Sequence, residues 1–375
     1  MSRPRIVIAG LGDTGVLTAV RLAKRYDVVG ISPKPALVSG QELGLRLTRP
    51  RRWARDYQLG FESLRGLDRV RRVHGVLEGL DPQARRVSVR LADGSVTQEP
   101  YDVLVIATGV RNGFWRRPDL QTREEVDASV LSAHETIAAA GSLAVIGGGA
   151  AAVSAAWNAS RTWPDKRVDL FFPGPTALPS HHRRVWARLR TELEAQGVGL
   201  HPGHRAEVRE GFDCDQITSG TVAWSTGQAD THHDAVLWAI GRAIPNSQWL
   251  PPELLDPQGF VRCGLDLTVP GFDGVFAIGD VAATDPQRSS ARNFTFKLLA
   301  RNIRAHLEGR PLKSFDPPKR RWGSVVGPQD DGLVVFTAAG QRIRIPRLPA
   351  EHFIQGWVVD RTYYRGIRRP KRDAD

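Results

Sequence analysis

The sequence is poor in cysteine, with only Cys214 and Cys263 among 375 residues. The two cysteines are far apart, and neither lies in a C-x-x-C pattern. This argues against a disulfide-stabilised scaffold, a zinc site and a thiol redox pair, and it is typical of a reducing compartment. We therefore expect a cytoplasmic protein without a metal site.

Long apolar segments are also missing. No uninterrupted apolar run approaches the length of a membrane-spanning helix. The first predicted strand begins at Arg5, so we expect no signal peptide. The chain length is sufficient for two or three domains with well-buried cores.

Positive charge is in excess, with a formal net charge of +12. Basic residues cluster at Arg49–Arg52, Lys319–Arg321 and Arg365–Arg372. A solubilising surface explains this excess, and attraction to anionic nucleotides is a second explanation. Peripheral contact with an anionic membrane is a third, whereas nucleic-acid binding is not expected.

The strongest motif lies at the start of the chain. The apolar run Ile6–Ala9 predicts a strand buried on both faces, and Gly10, Gly12 and Gly15 follow it as G-x-G-x-x-G. A helical pattern continues from Val16. In this context the three glycines permit the tight turn, close approach to a pyrophosphate and close helix packing, respectively. The phosphates are expected at the helix N-terminus.

A second unit of the same kind follows in mid-chain. Ser142–Ile146 predicts a strand, Gly147–Gly149 its turn, and Ala150–Ala159 a helix, with Ala152 at the third glycine position. In both units, the strand after the helix lacks the acidic residue that usually ends it and binds a ribose hydroxyl. The chain has Ser32 at this place in the first unit and Phe172 in the second. Two interpretations of His181–Arg184 stay open, namely that the segment binds a 2′-phosphate or that it is the solvated start of a helix.

Three further apolar strands end in small residues or glycine. They lead into Ala107-Thr108-Gly109, into Gly241 and into Gly279-Asp280. Between the first two units, Val70–Leu91 alternates with turn signals and predicts an antiparallel meander. A helix is predicted over 291–307, with Phe294, Leu298, Ile303 and Leu307 on one face.

Together these motifs resemble the pyridine-nucleotide-disulfide oxidoreductase superfamily, within it the type II NADH dehydrogenase and apoptosis-inducing-factor-like branch. The resemblance implies an α/β fold with two Rossmann-like dinucleotide-binding domains, arranged as in glutathione reductase, and a short C-terminal α/β cap. It implies an FAD-binding domain over 1–112 and 245–305, an NAD(P)H-binding domain over 113–244 and a cap over 306–375.

The resemblance also implies roles for individual residues. FAD is expected at Gly10, Gly12, Thr14, Gly15, Ser32, Val76, Ala107, Thr108, Gly109, Gly279 and Asp280. Val76, taken as the end of a strand over 73–76, is expected to meet the adenine through its backbone. NADH or NADPH is expected at Gly147, Gly149, Ala150 and Gly241.

The chain departs from the family pattern where the family carries its chemistry. Ser39-Gly40-Gln41-Glu42 stands where the redox disulfide belongs, so disulfide reduction is excluded. Ser154 replaces a glutamate near the flavin, and the glutamine-bearing helix of quinone-reducing enzymes is missing. Ser154, Asn293 and Lys297 are the candidates for residues near the flavin, and no certain catalytic residue is visible.

The predicted activity is hydride transfer from NAD(P)H to FAD and then electron transfer to a small acceptor, with quinone as the leading guess. One alternative is a flavoprotein without turnover that serves as a redox or nucleotide sensor, or a basic binding protein. Another is a reductase for a specialised metabolite.

The C-terminal segment over 357–369 is predicted to be a packed strand followed by a basic tail, with a membrane-interface segment as the alternative. The acceptor, the choice of nicotinamide and the oligomeric state stay open.

Overall fold

A computed structural model describes residues 3–113, 115, 117–241, 243–291 and 294–368, without the side chains of 353–358. The longer helices are α1 (Asp13–Leu22), α2 (Leu43–Thr48), α3 (Pro50–Tyr57), α4 (Arg123–Ala139), α5 (Ala150–Thr162), α6 (Arg183–Ala195) and α7 (Thr295–Leu307). A short turn over Arg347–Pro349 precedes a C-terminal helix of π type over Ala350–Tyr363. No helix in these ranges combines the length and the apolar character needed to cross a bilayer.

The first large sheet has seven strands in the order β16-β8-β1-β2-β5-β6-β7. They are β1 (Arg5–Ala9), β2 (Asp27–Ser32), β5 (Val70–Asp81), β6 (Arg86–Leu91), β7 (Val96–Pro100), β8 (Val103–Ile106) and β16 (Val275–Ala277). The strands β16, β8, β1, β2 and β5 pair in parallel, whereas β5, β6 and β7 form the predicted antiparallel meander. Parallel strands buried on both faces account for the continuous apolar runs in β1 and β8.

The second sheet has five strands in the order β12-β11-β10-β14-β13. They are β10 (Ser142–Ile146), β11 (Arg167–Phe172), β12 (Gly199–Pro202), β13 (Thr218–Val222) and β14 (Thr231–Trp238). Only β13 is antiparallel to its neighbour. The predicted pair of α/β units is therefore confirmed, while the limits of the domains stay predictions.

Two short pairs of strands lie outside the large sheets. They are β3 (Ala36–Val38) with β4 (Gln58–Gly60), and β9 (Val110–Arg111) with β15 (Ile244–Pro245). The second of these pairs connects the two segments of chain that run between the sheets. Helix α2 packs so closely on α5 that a Cβ on Gly44 would overlap the carbonyl oxygen of Ser154.

The C-terminal segment touches both halves of the molecule. Strands β17 (Pro328–Gln329), β18 (Gly332–Phe336) and β19 (Arg342–Pro346) form an antiparallel sheet. Phe336 and Val326 pack into the core of the second sheet, whereas Tyr364 packs into the core of the first. The cap thus spans both sheets.

Two predictions for the last third of the chain are wrong. Residues 357–363 lie in the C-terminal helix and not in a strand, and Arg369 lies outside the described residues. Helix α7 begins at Thr295, so Phe294 precedes it with a left-handed backbone and stays exposed. The predicted Ile303 is buried together with Phe296 and Leu299, and the predicted Leu298 and Leu307 are partly buried against the same core.

Candidate functional site

The first glycine turn leads directly from β1 into α1. Gly10 has a φ of +104°, and a Cβ there would lie 2.6 Å from the carbonyl oxygen of Ala107. A Cβ on Gly15 would overlap the carbonyl oxygen of Gly10. Only glycine fits these two positions, so the turn and the start of the helix are held in one compact arrangement.

Gly12 differs because the space beside it is open. Apart from its chain neighbours, no described heavy atom would lie within 4 Å of a Cβ on Gly12. The residue before α1 is Gly12, which has no side chain to cap the helix, so an anion can bind at the helix N-terminus. This geometry fits the pyrophosphate of a dinucleotide.

The ends of β8 and β16 lie at the same edge of the sheet as this turn. Gly279, with a φ of +92°, would place a Cβ 3.4 Å from Oγ1 of Thr14. The Thr108 hydroxyl is buried and has no hydrogen-bond partner among the described residues. Such an orphan group is costly, and a polar atom of a bound cofactor would satisfy it. Asp280 follows Gly279 and is half-buried.

The ends of β2 and β5 place two further predicted residues. The Ser32 hydroxyl accepts a hydrogen bond from the backbone N–H of Lys34 at 3.2 Å. Strand β5 does not end at Val76 as predicted, because it continues to Asp81. Its parallel pairing with β2 stops at His74, and its pairing with β6 begins at Gly75.

Lys34 is a residue that the sequence analysis missed. Burial lowers the pKa of its ammonium group to about 8, although Asp119 acts in the opposite direction. The ammonium group donates to the carbonyl oxygen of Arg117. Its place next to Ser32, directly after a strand of the dinucleotide unit, is the signal that could have identified it.

The second glycine turn repeats the first. Gly147 has a φ of +140°, and a Cβ there would overlap the carbonyl oxygen of Ala239 beyond β14. Gly149 precedes α5, whose first residue is Ala150, and in the described structure no atom beyond its chain neighbours lies within 4 Å of the position of a Cβ. Gly241 (φ +75°) is similarly open on the neighbouring strand end. This is a second site that fits a dinucleotide.

The histidine pair after β11 begins a helix. His182 precedes α6, and its Nδ1 accepts a hydrogen bond from the N–H of Arg184 at 3.2 Å. Partial burial and the nearby arginines Arg320, Arg184 and Arg183 lower the pKa of His182. The interpretation of this segment as a helix start is confirmed for His182.

The three predicted flavin-proximal residues have different positions. Ser154 is buried at 3% exposure, and its carbonyl oxygen accepts from Asn158 at 2.9 Å. Lys297 is exposed in the first turn of α7, with Nζ 4.4 Å from the ring centroid of Phe294. Asn293 lies outside the described residues. Their roles near a flavin stay predictions.

Glu42 is the second residue that the sequence analysis missed. It precedes α2 with a left-handed backbone (φ +57°), and a Cβ on Gly327 of the cap would overlap its carboxylate. Burial raises the pKa of the Glu42 carboxyl to about 7. The same loop reaches α1, because Ser39 Oγ donates to Asp13 Oδ2 at 3.1 Å. Glu42 is therefore a carboxyl group able to exchange a proton near neutral pH.

Neither cysteine has the surroundings of a reactive thiol. Cys214 is buried in the core of the second sheet. Burial raises the pKa of Cys263 to about 12, and its Sγ lies 3.4 Å from the carbonyl oxygen of Ala277. The thiolate, the nucleophilic form, is thus disfavoured at Cys263.

Comparison with known proteins agrees with this geometry. Residues 4–295 match the family model of the pyridine nucleotide-disulphide oxidoreductases. The chain is 28% identical over 296 residues to oxidoreductase ptaL of Pestalotiopsis fici, covering 75% of this chain and 77% of that protein. It is 25% identical over 272 residues to the type II NADH:quinone oxidoreductase Ndh of Mycobacterium tuberculosis, covering 60% of this chain and 57% of that protein.

A solved structure shows the same fold. The sulfide:quinone oxidoreductase from Aquifex aeolicus superposes with a TM-score of 0.65 at 14% identity, covering 91% of this chain and 86% of that chain. The chain described here therefore belongs to the pyridine nucleotide-disulphide oxidoreductase family, whose members depend on FAD and NAD(P)H.

Proposed function

We propose that this protein binds FAD permanently, accepts hydride from NADH or NADPH and passes electrons to a small quinone-like acceptor without a redox disulfide. The observation that carries this proposal is that the same glycine turn occurs in both large sheets. In each turn a Cβ on the first glycine, Gly10 or Gly147, would collide with the backbone beyond a neighbouring strand. The space beside the glycine that precedes the helix, Gly12 or Gly149, is open.

The first turn would hold FAD. The N-terminus of α1 would bind its pyrophosphate, with Thr14 and Gly279 side by side at the same edge. The orphan hydroxyl of Thr108 and the carboxylate of Asp280 would provide further polar contacts. When bound, FAD supplies the hydride and electron transfer, while the protein supplies orientation and excludes water.

The second turn would hold the nicotinamide dinucleotide. The free start of α5 would bind the pyrophosphate, and the open backbone at Gly241 would admit the rest of the ligand. Strand β11 ends in Phe172 and not in an acid, so no carboxylate at that position selects a ribose hydroxyl over a 2′-phosphate. Both nicotinamides are therefore substrates to test.

Glu42, in the segment where the family has its redox disulfide, would take up and release protons but no electrons. The loop that holds Glu42 contacts the start of α1 through Ser39 and Asp13, so Glu42 lies at the same end of α1 as the first dinucleotide site. We call this site, at Gly10–Gly15, the first cradle, and the site at Gly147–Gly149 the second cradle. With a pKa of about 7, the Oε atoms of Glu42 can hold a proton or release it at physiological pH. The buried Cys214 and the high pKa of Cys263 support chemistry without thiols.

Anaerobic stopped-flow mixing of the purified protein with NADH and with NADPH tests the proposal. We expect the flavin absorbance near its visible maximum to bleach with at least one of them. A subsequent mix with a quinone, a ferric complex or oxygen should restore the colour fastest with the quinone. Protein that contains FAD and does not bleach with either nucleotide would favour a sensor without turnover, and faster reoxidation by the other acceptors would refute the quinone assignment.

A further inference from the structure

A basic cleft lies between helices α1 and α7. It has a volume of about 590 Å³ and is lined by Arg21, Lys24, Arg25, Lys297, Ala300, Arg301, Arg304, Arg310 and Arg365. Eight of these nine residues are arginine or lysine, and the ninth is alanine. The two helices pack beneath the cleft through Val20, Leu299 and Ile303, so its walls are rigid secondary structure.

Most of these cations lack a counter-ion. Among the described residues, only Arg310 of this set forms an ion pair, and its partner is Glu308. Nε of Arg304 is buried and has no hydrogen-bond partner in the described part of the chain. Burial, together with the positive charges of Arg21 and Arg69, lowers the pKa of Arg365. The cleft therefore concentrates positive charge that the described residues neutralise only at Arg310.

Two other basic groups in this chain contain arginines that are neutralised locally. Arg49 and Arg52 both pair with Asp330, at 2.6 and 2.7 Å. Arg188 and Arg190 each pair with a glutamate four residues later on α6. A surface built only for solubility would mix both signs in this way, so the cleft differs from these two groups.

Helix dipoles do not explain the cluster. The dipole favours Arg21 and Arg304, which lie in the last turns of α1 and α7. Lys297, however, lies in the first turn of α7, where the dipole disfavours a cation. Arg301 and Arg365 lie outside both end turns.

We propose that this cleft is a binding site for a ligand that carries several phosphate groups. Guanidinium groups bind phosphate oxygens through paired, charge-assisted hydrogen bonds, and the cleft presents them from both walls. Its volume is in the range of small-ligand sites, and its lining offers an apolar ligand only Ala300. A free polyphosphate compound and the headgroups of anionic lipids share this chemistry.

The cleft is separate from the two dinucleotide sites. Those sites lie at the N-terminal ends of α1 and α5, whereas the cleft is lined by the last turn of α1 and the residues after it. It reaches Lys297, which the sequence analysis predicts to lie near the flavin. A ligand in the cleft would therefore lie beside this residue without entering either dinucleotide site.

Calorimetric titration of the FAD-bound protein with inorganic tripolyphosphate tests the site. Saturating NAD⁺ is included, so that the second cradle does not bind the probe. One variant, Arg301→Gln with Arg304→Gln, changes the α7 wall, and a second, Lys24→Gln with Arg25→Gln, changes the opposite wall. The control, Arg86→Gln with Arg342→Gln, removes the same charge from exposed arginines elsewhere. Thermal melting and flavin content verify the fold of each.

We expect the wild-type protein to bind one tripolyphosphate. Each cleft variant should bind it about tenfold more weakly or worse, because several charge-assisted hydrogen bonds are lost. The control should stay within about twofold, the effect of net charge alone. Flotation with vesicles of phosphatidylglycerol, compared with phosphatidylcholine, identifies the source of the phosphate. Cleft-dependent flotation indicates lipid headgroups, and its absence indicates a free compound.

Three results would overturn the proposal. The first is no binding of tripolyphosphate and no flotation with anionic vesicles. The second is an equal loss of affinity in the cleft variants and the control, which would reduce the effect to net charge. The third is equal affinity for polyglutamate, which would show that the site does not prefer phosphate.

Discussion

Gly15 lies directly against the carbonyl oxygen of Gly10, so that helix α1 begins in contact with the turn that leads into it. A methyl group at Gly15 would overlap this oxygen, whereas one at Gly12 would extend into open space. The two glycines of one motif therefore have separable roles. Gly15 serves the fold, and Gly12 serves the ligand.

Substitution of these glycines should separate stability from cofactor binding. Gly15→Ala should destabilise the protein by about 1–3 kcal/mol or more, because backbone must shift to admit the methyl group. Gly12→Ala should keep the melting temperature of the flavin-free protein and lose most of the bound FAD. Thermal melting and flavin content measure both. Equal melting of the two variants in the flavin-free state would contradict this assignment.

Removal of the Thr108 hydroxyl should have opposite effects with and without the cofactor. Thr108→Val removes a buried group that has no partner in the described structure, so the flavin-free protein should be equally stable or more stable. If the hydroxyl binds FAD, the variant should bind it more weakly by about 1 kcal/mol. Fluorescence titration with FAD measures the second effect. An unchanged FAD affinity would place Thr108 outside the site.

Asp280→Ala should yield protein purified largely without flavin. Asp280 lies at the same edge of the first sheet as Gly10 and Thr108, and it follows Gly279, where a Cβ would lie 3.4 Å from Oγ1 of Thr14. Asp273→Ala is a matched control, because this carboxylate is 73% exposed and its partners are Arg85 at 2.7 Å and His306 at 3.7 Å. Surface pairs contribute little to stability, so the control should keep its colour. A full complement of flavin in the Asp280 variant would count against the assignment.

Glu42 should make stability fall as the pH rises through neutrality. In the unfolded chain its pKa is near 4.5, and in the folded protein it is about 7. Between these values the folded state retains a proton that the unfolded state has lost, so the free energy of unfolding decreases with pH. At higher pH the folded protein has to accommodate the charged carboxylate in its buried position.

Glu42→Gln should remove this dependence. Denaturant unfolding at pH 5 and pH 8 should show the variant gaining roughly 1–2 kcal/mol on the wild type across that interval, a range that allows for partial exposure of the side chain. The same variant should flatten the pH profile of flavin reduction if Glu42 exchanges the proton. A constant difference between variant and wild type at both pH values would refute the raised pKa.

The two cradles could be predicted from sequence because their signals are local. A strand buried on both faces, a glycine turn and a helix are encoded within about fifteen residues, and Gly10, Gly15 and Gly147 each meet backbone atoms that exclude a Cβ. The meander over β5, β6 and β7 was also predictable, since its alternation and turn residues are adjacent in the chain.

The remainder depends on contacts between distant segments. The pKa of Glu42 is set by burial, and one of its neighbours is Gly327 in the cap, which no local pattern reveals. The burial of Ser154 depends on the close approach of Gly44 from α2. Residues 357–363 are rich in residues that favour strands, yet they lie in a helix, an instance of tertiary context overriding local propensity.

The central claim is that one chain holds two dinucleotides at once, one in each cradle. Calorimetric titration of the purified FAD-containing protein with NAD⁺ and with NADP⁺, followed by release and quantification of the flavin, measures this directly. The account predicts one FAD per chain that stays bound while one further nucleotide binds. Displacement of FAD by the nicotinamide nucleotide, or saturation at a single dinucleotide per chain, would contradict it.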